Sequence, residues 1–340
     1  MSAPVVVVGA GIAGVACARE LVAAGVPTRL LDRGYRIGGR LAAKRVDDRS
    51  VDLGASYFTV SEPAFDDVVQ GWAARGLARA WTDHFTVLSG RPGDPEASRL
   101  STGPVRWSAP GTLRGLVEDL ATGLPLERAS VAEVTRHDHG LAVDGEPAAA
   151  VVLAMPDGQA RTLLTGPGHD DVHDRLTRPW EPVLALVARW PSVLWGDLGL
   201  GSPFEGAFVN DDDVLSFVAD DGRRRGDAAP VLVAHSTPEF AAQHLVDPDA
   251  ACPPMVAALR ARFDLPDPEA AFTKRWSMAR PTGHRHDPFL LTDPAHGAPL
   301  GVCGDGWGDP PRVQTAWLSG HQLGRALVER LVERLVERPA

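Results

Sequence analysis

The chain has 340 residues, enough for one large domain or two smaller ones. Hydrophobic residues make up 44% of it and charged residues 23%, and the 35 glycines and 29 prolines are about a fifth of the chain. These are ordinary values for a folded protein, so disorder along the whole chain is excluded. The net charge of −10 has the wrong sign for a protein that covers nucleic acid or an anionic membrane, and we expect neither partner.

Cysteine usage and hydropathy predict the compartment. Cys17, Cys252 and Cys303 are an odd number with no close pair, which disfavours a disulfide framework and a zinc site. No apolar run approaches the roughly 20 residues of a membrane helix, and the N-terminus has no basic leader. We therefore expect a cytoplasmic protein without a bound metal.

The N-terminal segment has the pattern of a dinucleotide-binding unit. Val5–Val8 is a β-branched run typical of a buried parallel strand, and it leads into Gly9-Ala10-Gly11-Ile12-Ala13-Gly14. A helical pattern follows as far as Gly25, and a second strand over residues 28–31 ends at Asp32. This order of strand, glycine box, helix, strand and acid predicts a dinucleotide site.

Each residue type in this unit suits a pyrophosphate and its ribose. Gly9 permits a tight turn, Gly11 lets the pyrophosphate approach the backbone, and Gly14 lets the helix lie close to the strand. The free N–H groups at the start of the helix attract an anion. The carboxylate of Asp32 can accept hydrogen bonds from a ribose diol. The alternative is a glycine-rich turn without a ligand.

Three later segments bear on which dinucleotide is bound. Gly38-Gly39-Arg40 combines glycines for close backbone approach with an arginine that can counter a diphosphate. Residues 51–58 read as a strand followed by a turn of small residues. Residues 301–308 read as a strand ending in Gly304-Asp305, and residues 313–335 as a helix. The leucine spacing in this helix predicts that its early turns pack against the cofactor domain and that its last turns extend beyond it.

On these segments the chain resembles the FAD-dependent amine oxidase-like superfamily. The resemblance implies that Asp305 binds the sugar chain of the flavin and that the backbone of residues 313–315 directs a positive helix end at the flavin O2 side. It also implies non-covalent FAD, because no cysteine stands where a covalent flavin link is expected. The implied cofactor contacts are Gly9, Gly11, Ile12, Ala13, Gly14, Asp32, Arg33, Gly39, Arg40, Leu41, Gly54, Ala55, Ser56, Val131, Met155, Gly304, Asp305, Val313, Gln314 and Thr315.

Further segments look like the renalase family within that superfamily. They are Asp52-Leu53-Gly54-Ala55-Ser56-Tyr57-Phe58-Thr59, Ala109-Pro110-Gly111, Val151-Val152-Leu153-Ala154-Met155-Pro156, Val233-Ala234-His235-Ser236-Thr237 and Lys274-Arg275-Trp276. The histidine segment is the most selective of them. The resemblance implies an oxidase that takes hydride from 1,2- or 1,6-dihydro-NAD(P) and passes the electrons to O2. The products would be NAD(P)+ and hydrogen peroxide.

The candidate catalytic residues are His235, Tyr57 and Trp276. Loss of hydride from a dihydropyridine gives an aromatic cation, so the site needs stacking and orientation rather than a general base. We expect His235 to position the carboxamide or the ring, and Tyr57 and Trp276 to form walls. Packing roles in the core remain open for His235 and Tyr57. An amine oxidase or desaturase acting on a small apolar substrate, and a flavin-bound interaction protein with little turnover, also remain open.

The predicted fold is α/β, with a three-layer Rossmann-like FAD domain and an inserted α+β substrate domain on an antiparallel sheet. Residues 1–80, 105–160 and 290–340 are assigned to the first domain, and residues 81–104 and 161–289 to the second. The second includes strands over residues 180–190 and 231–235. Arg223-Arg224-Arg225 predicts a charged hairpin turn. We expect a monomer or weak dimer.

Overall fold

The computed structural model describes residues 3–90, 98–137, 140–196, 198, 200–292 and 297–336. The chain forms two compact units, each assembled from separate stretches. Unit 1 comprises Met1–Gly39, Val117–Trp180 and Pro281–Ala340, and unit 2 comprises Arg40–Leu116 and Glu181–Arg280. The predicted domains have other bounds, since residues 40–80 and 105–116 belong to unit 2 and residues 161–180 and 281–289 to unit 1.

Helices separate runs of up to five consecutive strands along the described chain. The strands are β1 (Val5–Val8), β2 (Thr28–Asp32), β3 (Ala43–Val46), β4 (Arg49–Asp52), β5 (Phe58–Thr59), β6 (Arg79–Leu88), β7 (Ser98–Ser108), β8 (Leu126–Arg128), β9 (Val134–His137), β10 (Gly140–Val143), β11 (Glu146–Ala148), β12 (Ala150–Leu153), β13 (Trp180–Arg189), β14 (Gly206–Val209), β15 (Leu215–Asp220), β16 (Val231–Ser236), β17 (Ala270–Pro281), β18 (Leu290–Leu291) and β19 (Leu300–Val302). The helices are α1 (Ile12–Ala23), α2 (Pro63–Ala74), α3 (Leu113–Leu120), α4 (Asp157–Leu163), α5 (Asp170–His173), α6 (Asp221–Arg225), α7 (Pro238–Gln243), α8 (Cys252–Phe263) and α9 (Val313–Val336). Within the described ranges no helix is long and apolar enough to cross a bilayer.

Unit 1 contains a six-stranded sheet in the order β18-β19-β12-β1-β2-β8. Neighbouring strands from β19 to β8 run parallel, and β18 pairs antiparallel with β19. All residues of β1 and β12 are buried, as expected for central strands of a parallel sheet covered on both faces. The predicted Rossmann-like architecture is confirmed.

Helices α1 and α9 pack against each other in this unit. They approach so closely at Gly320 that a Cβ atom there would lie 1.9 Å from the carbonyl oxygen of Ala13. Leu323 and Leu327 are fully buried, whereas Val332 is 53% exposed. The early turns of α9 are therefore packed, and burial decreases after Leu327.

Unit 2 is built on an eight-stranded sheet in the order β17-β13-β16-β15-β14-β6-β7-β5. The strands predicted over residues 180–190 and 231–235 are β13 and β16, which pair antiparallel with Ala185 opposite His235. Side chains of β13 alternate between two cores because successive residues of a strand point to opposite faces. Leu186 packs with Met255 of α8, and Val187 packs with Val51. The expected antiparallel framework is present, although β14 and β6 pair in parallel.

The three consecutive arginines lie in the connection between β15 and β16, which pair antiparallel as a hairpin requires, but the connection contains a short helix. They belong to α6, whose first turn is capped by the Asp220 carboxylate, which accepts a hydrogen bond from the Arg223 N–H at 2.8 Å. The helix ends at Gly226, which has a left-handed conformation with φ of 84°. The sequence pattern did not distinguish a simple turn from this helix, because an Asp before a charged run also suits an N-cap.

We expect Leu327→Ala to lower the free energy of unfolding by about 2–5 kcal/mol, because it leaves a cavity in the packed part of α9. Val332→Ala, five residues further along the same helix, should change it by less than about 0.5 kcal/mol because that side chain is exposed. Urea denaturation of both variants measures the difference. Equal effects would contradict the description of α9 as packed only in its early turns.

Candidate cofactor and substrate sites

The predicted cofactor residues of unit 1 follow the carboxyl ends of its parallel strands. Gly9 follows β1, Asp32 ends β2, Val131 lies after β8, Met155 after β12, and Gly304-Asp305 after β19. Parallel strands end at one edge of their sheet, and ligands of open α/β sheets bind outside that edge. We call these chain segments the carboxyl edge. The structure thus brings together residues that are up to 296 positions apart in the chain.

The glycine box has the close packing that its sequence predicts. A Cβ atom on Gly14 would lie 1.9 Å from the carbonyl oxygen of Gly9, so the helix can approach the strand only with glycine here. A Cβ atom on Gly11 would have no other atom within 4 Å among the described residues. Gly11 is the N-cap of α1, and no described side chain caps this end. The start of α1 therefore offers N–H groups beside open space.

Asp32 supports the same turn from the next strand. Its Oδ2 accepts a hydrogen bond from the Ala10 N–H and its Oδ1 one from the Gly34 N–H, both at 2.7 Å. An ionised carboxylate has about four lone-pair positions, so two remain for a ligand. Asp32 is half-buried and Arg33 is exposed. The acid predicted to contact ribose therefore also holds the glycine box in place.

The loop after β19 is fixed by a buried arginine. Gly304 donates its N–H to Ser319 Oγ of α9 at 3.0 Å. The guanidinium of Arg178 donates to the Gly306 carbonyl at 2.8 Å and forms an ion pair with Asp309 at 3.0 Å. At the start of α9, Thr315 donates its hydroxyl hydrogen to the Pro310 carbonyl at 2.6 Å. These contacts hold the segment that carries Asp305 and residues 313–315.

A cavity of about 410 Å³ lies beside this loop, lined by Arg175, Arg178, His284, Arg285 and Trp307 among others. The arginines of this cavity form ion pairs with carboxylates of the protein itself. Arg285 pairs with Asp157 at 2.8 Å and lies over the Trp307 ring at 4.0 Å, and Arg178 pairs with Asp309. We therefore assign these arginines to loop support rather than to anion binding.

The other predicted cofactor residues, Arg40, Leu41, Gly54, Ala55 and Ser56, belong to unit 2. The Arg40 guanidinium donates to the Ala279 carbonyl at 3.0 Å, and the Arg40 carbonyl accepts the Ala55 N–H at 3.1 Å. Leu41 and Ser56 are buried. Their contact with a cofactor stays a prediction.

Five rings of unit 2 form one contact group, which we call the aromatic cluster. It consists of Tyr57, Trp81, Phe85, Phe208 and Phe217. The Tyr57 ring meets the Phe85 ring edge-on at 5.3 Å, a favourable arrangement for aromatic pairs. Burial raises the pKa of Tyr57, so its hydroxyl is neutral and can donate a hydrogen bond. The candidate wall Tyr57 therefore lies in an aromatic environment.

The structure brings His235 to the same cluster. It lies opposite Phe217 on the neighbouring strand, with ring centroids 5.7 Å apart. Burial lowers the pKa of His235 to about 4, although the Gly54 carbonyl opposes the effect. Its Nε2 atom is buried and lacks a hydrogen-bond partner among the described residues. A neutral imidazole nitrogen is thus left for a ligand.

Trp276 lies in a different contact group. It packs against the core that contains Val51 and Val233, and its Nε1–H donates to the Leu53 carbonyl at 2.7 Å. Its contact with Leu53 supports the segment that leads to Gly54 and Tyr57. The structure therefore does not bring Trp276 into the aromatic cluster, and its role as a substrate wall stays a prediction.

A group of charges whose central members are buried supports the Tyr57 segment from another side. We call Arg49, Asp52, Asp221, Arg224 and Asp227 the ionic cluster. The guanidinium of Arg224 is 1% exposed, pairs with Asp221 and lies 3.0 Å from Asp52. It also donates to the Ser56 carbonyl at 3.0 Å. Burial raises the pKa of Asp52, an effect that Arg224 opposes.

Arg178 and Arg224 were missed as functional candidates. Arg178 is an isolated arginine in a chain with 34 basic residues, almost all of them arginine, and Arg224 is the middle residue of a run of three. In the Arg223-Arg224-Arg225 run, the spacing alone does not show that the middle side chain is the most buried. Burial and partners, which decide their roles, depend on strands distant in sequence.

Comparison with known proteins agrees with this geometry. Residues 7–72 match a sequence family described as NAD(P)-binding Rossmann-like domain. A provisionally named protoporphyrinogen oxidase from Exiguobacterium sp. 255-15 is 14% identical, with 97% of this chain and 99% of that chain covered and a TM-score of 0.72. Wild-type putrescine oxidase bound to putrescine is 15% identical, with 97% of this chain and 100% of that chain covered and a TM-score of 0.69. Cyclohexylamine oxidase from Brevibacterium oxydans IH-35A is 14% identical, with the same two coverages and a TM-score of 0.70.

The chain has the fold of these oxidases. At such low identity the likeness establishes the architecture, and the ligand and the substrate must be inferred from the site residues.

Replacing Arg224 by Met should lower the free energy of unfolding by about 3–5 kcal/mol, because Asp52 and Asp221 lose a buried counter-charge. Arg223→Met on the same short helix is the matched control. Arg223 is 43% exposed and pairs with Glu205, so its loss should cost less than about 1 kcal/mol. Thermal and urea unfolding of both proteins at neutral pH give the comparison, and a small effect of Arg224→Met would be inconsistent with a buried ionic cluster.

Proposed function

We propose that the protein is an FAD-dependent oxidase acting on 1,2- or 1,6-dihydro-NAD(P). In the overall reaction, dihydro-NAD(P), O2 and a proton give NAD(P)+ and hydrogen peroxide. The inference that the protein uses FAD rests on the carboxyl edge, where the glycine box, Asp32 and Gly304-Asp305 follow parallel strands of one sheet. The substrate part is supported by the aromatic cluster and the neutral His235.

The residues present fit FAD bound without a covalent link. The start of α1 has open space beside Gly11 and no described acidic residue in its first turn, which suits a diphosphate. Asp32 keeps lone pairs for a ribose diol. We assign the contact with the flavin's sugar chain to Asp305. When bound, FAD accepts a hydride from the substrate and passes electrons to O2.

The chain's own groups suit a flat nicotinamide ring with a carboxamide. The aromatic cluster offers ring faces and edges for a flat heterocycle. His235 stays neutral at pH 7, so it adds no charge that would repel a forming pyridinium, and its buried Nε2 is free to bond a carboxamide. We assign His235 the role of orienting the ring, Tyr57 that of a wall, and Trp276 support of the Leu53 segment.

Oxidation of a small amine is the second candidate. It is favoured by the shared fold with putrescine oxidase and cyclohexylamine oxidase. It is disfavoured by the buried guanidinium of Arg106, which lies 4.0 Å over the Phe85 ring and can pair with a phosphate of a dinucleotide, whereas a small amine has no anionic group. The dinucleotide is therefore our first choice.

Anaerobic mixing of the FAD-loaded protein with candidate substrates tests the proposal. We expect isomeric dihydro-NAD(P) to bleach the flavin absorbance within one turnover and putrescine or cyclohexylamine to leave it unchanged. Admission of air should then restore the absorbance and release hydrogen peroxide. Bleaching by amines alone would support the second candidate and refute the first, and absence of bleaching by either class would refute both.

His235→Ala should slow flavin bleaching by about 100-fold while FAD stays bound, because the ring loses an orienting contact. His137→Ala, at an exposed site in β9, is the control. Since the folded-state pKa of His235 is about 4, its protonation should not change the wild-type bleaching rate between about pH 5.5 and 8. An unchanged rate in His235→Ala would leave this residue a packing role only.

His235 also affects stability through its pKa. Its folded-state pKa lies below the ordinary value, so its contribution is fully present above about pH 6.5 and is lost as the pH falls towards 4. His235→Ala should therefore show a smaller loss of stability than the wild type over that range, as measured by urea denaturation at a series of pH values. Parallel curves for the two proteins would contradict the buried neutral state.

A further inference from the structure

Arg106 is a buried cation in the aromatic cluster. It lies on β7, paired in register with Thr59 and Thr82, and is 7% exposed. The Cζ atom of its guanidinium is 4.0 Å from the Phe85 ring centroid and 5.9 Å from that of Tyr57. A guanidinium over aromatic faces is held by cation–π attraction, which fixes its plane without using its hydrogen-bond donors.

Arg106 has weak contacts to acceptors in the described part of the protein. Its Nη1 donates to the Pro104 carbonyl at 3.5 Å, the outer limit of a hydrogen bond, and its charge opposes the rise that burial causes in the pKa of Tyr57. No carboxylate lies within 4 Å of it in the described part of the chain. The buried Arg178, Arg224 and Arg262 each have one at 3.0 Å or less. Arg225, which is also buried, pairs more loosely with Asp227 at 4.0 Å. Among the described residues, Arg106 thus differs from these buried arginines in having no ion pair within 4 Å.

His235 supplies a second polar group in the same cluster. The buried Nε2 atom of His235 has no hydrogen-bond partner among the described residues, and its ring contacts Phe217, which in turn contacts Tyr57 and Phe85. Buried polar groups are normally bonded to protein or water, and exceptions call for an explanation. A ligand with an anionic part and a neutral polar part would satisfy both groups.

We propose that Arg106 binds a phosphate of the substrate and so selects for nucleotides over uncharged or cationic substrates. Its planar fork of donors matches the oxygens of a phosphate. The proposal rests on the function proposed above and adds the residue that recognises the negative charge of the substrate. In the sequence no such residue stood out, because Arg106 lies within an ordinary strand pattern.

The first experiment uses the wild-type protein with FAD. Dihydronicotinamide riboside has no phosphate, the mononucleotide has one, and the dinucleotide has a pyrophosphate. From the concentration dependence of anaerobic bleaching we expect the mononucleotide to bind at least about tenfold more tightly than the riboside, as one charge-assisted contact allows. Equal binding of riboside and mononucleotide would overturn the role of Arg106, and absence of bleaching by all three would instead overturn the proposed function.

The second experiment compares Arg106→Gln with Arg99→Gln, an exposed arginine on the same strand. We expect Arg106→Gln to lose the tenfold preference for the mononucleotide and to keep the affinity for the riboside, whereas Arg99→Gln keeps both. Arg106→Lys should restore part of the preference because the positive charge returns. Equal losses for riboside and mononucleotide, with an unchanged ratio, would show a structural role and overturn the proposal.

Folding of the variants is checked by thermal unfolding and by FAD content. If Arg106→Gln does not fold, the ratio of mononucleotide affinity to riboside affinity, measured in the wild type and in Arg106→Lys, tests the proposal instead. In that case a tenfold preference for the mononucleotide that falls in Arg106→Lys supports the proposal, and a preference unaffected by the lysine's altered geometry contradicts it.

Discussion

Neutralisation of buried charge within unit 2 is the constraint on which its site geometry depends. Arg224 has almost no contact with solvent, and it pairs with Asp52 and Asp221 while bonding the carbonyl of Ser56. Asp52 in turn accepts the Leu113 N–H at 3.0 Å, which fixes the start of α3. One cation thus joins β4, α3, α6 and the turn before Tyr57. Because removal of any member leaves an unpaired buried charge, these segments form one cooperative group.

The two sites use charge in different ways. At the carboxyl edge the local attraction for an anion comes from backbone N–H groups and a helix end, which need no basic side chain and act despite a net charge of −10. At the aromatic cluster it comes from one guanidinium held on ring faces. The proposed binding of anionic dinucleotides is compatible with the net charge of −10, because both attractions are local and act at short range.

Much of unit 1 was predictable because its signals are local. The strand before the glycine box, the box itself, α1 and Asp32 lie within 30 residues, and their spacing reflects backbone geometry that glycine and a carboxylate impose. The place of His235 on an antiparallel strand also followed from its sequence pattern. Three features could not be predicted from the sequence: the grouping of residues 40–80 with unit 2, the burial of Arg224 and the position of Trp276. They depend on contacts between segments more than 100 residues apart, where charge and size in the sequence give no indication of the partner.

The order of strands in unit 1 has a consequence for synthesis of the protein. β1 pairs with β2 directly after α1, but its other neighbour β12 follows about 140 residues later, and α9 begins about 290 residues after the end of α1. The face of α1 that Gly320 approaches so closely therefore stays uncovered until α9 has been made. During that interval the nascent chain exposes a surface that is buried in the folded unit, the situation in which chaperones protect a protein from aggregation.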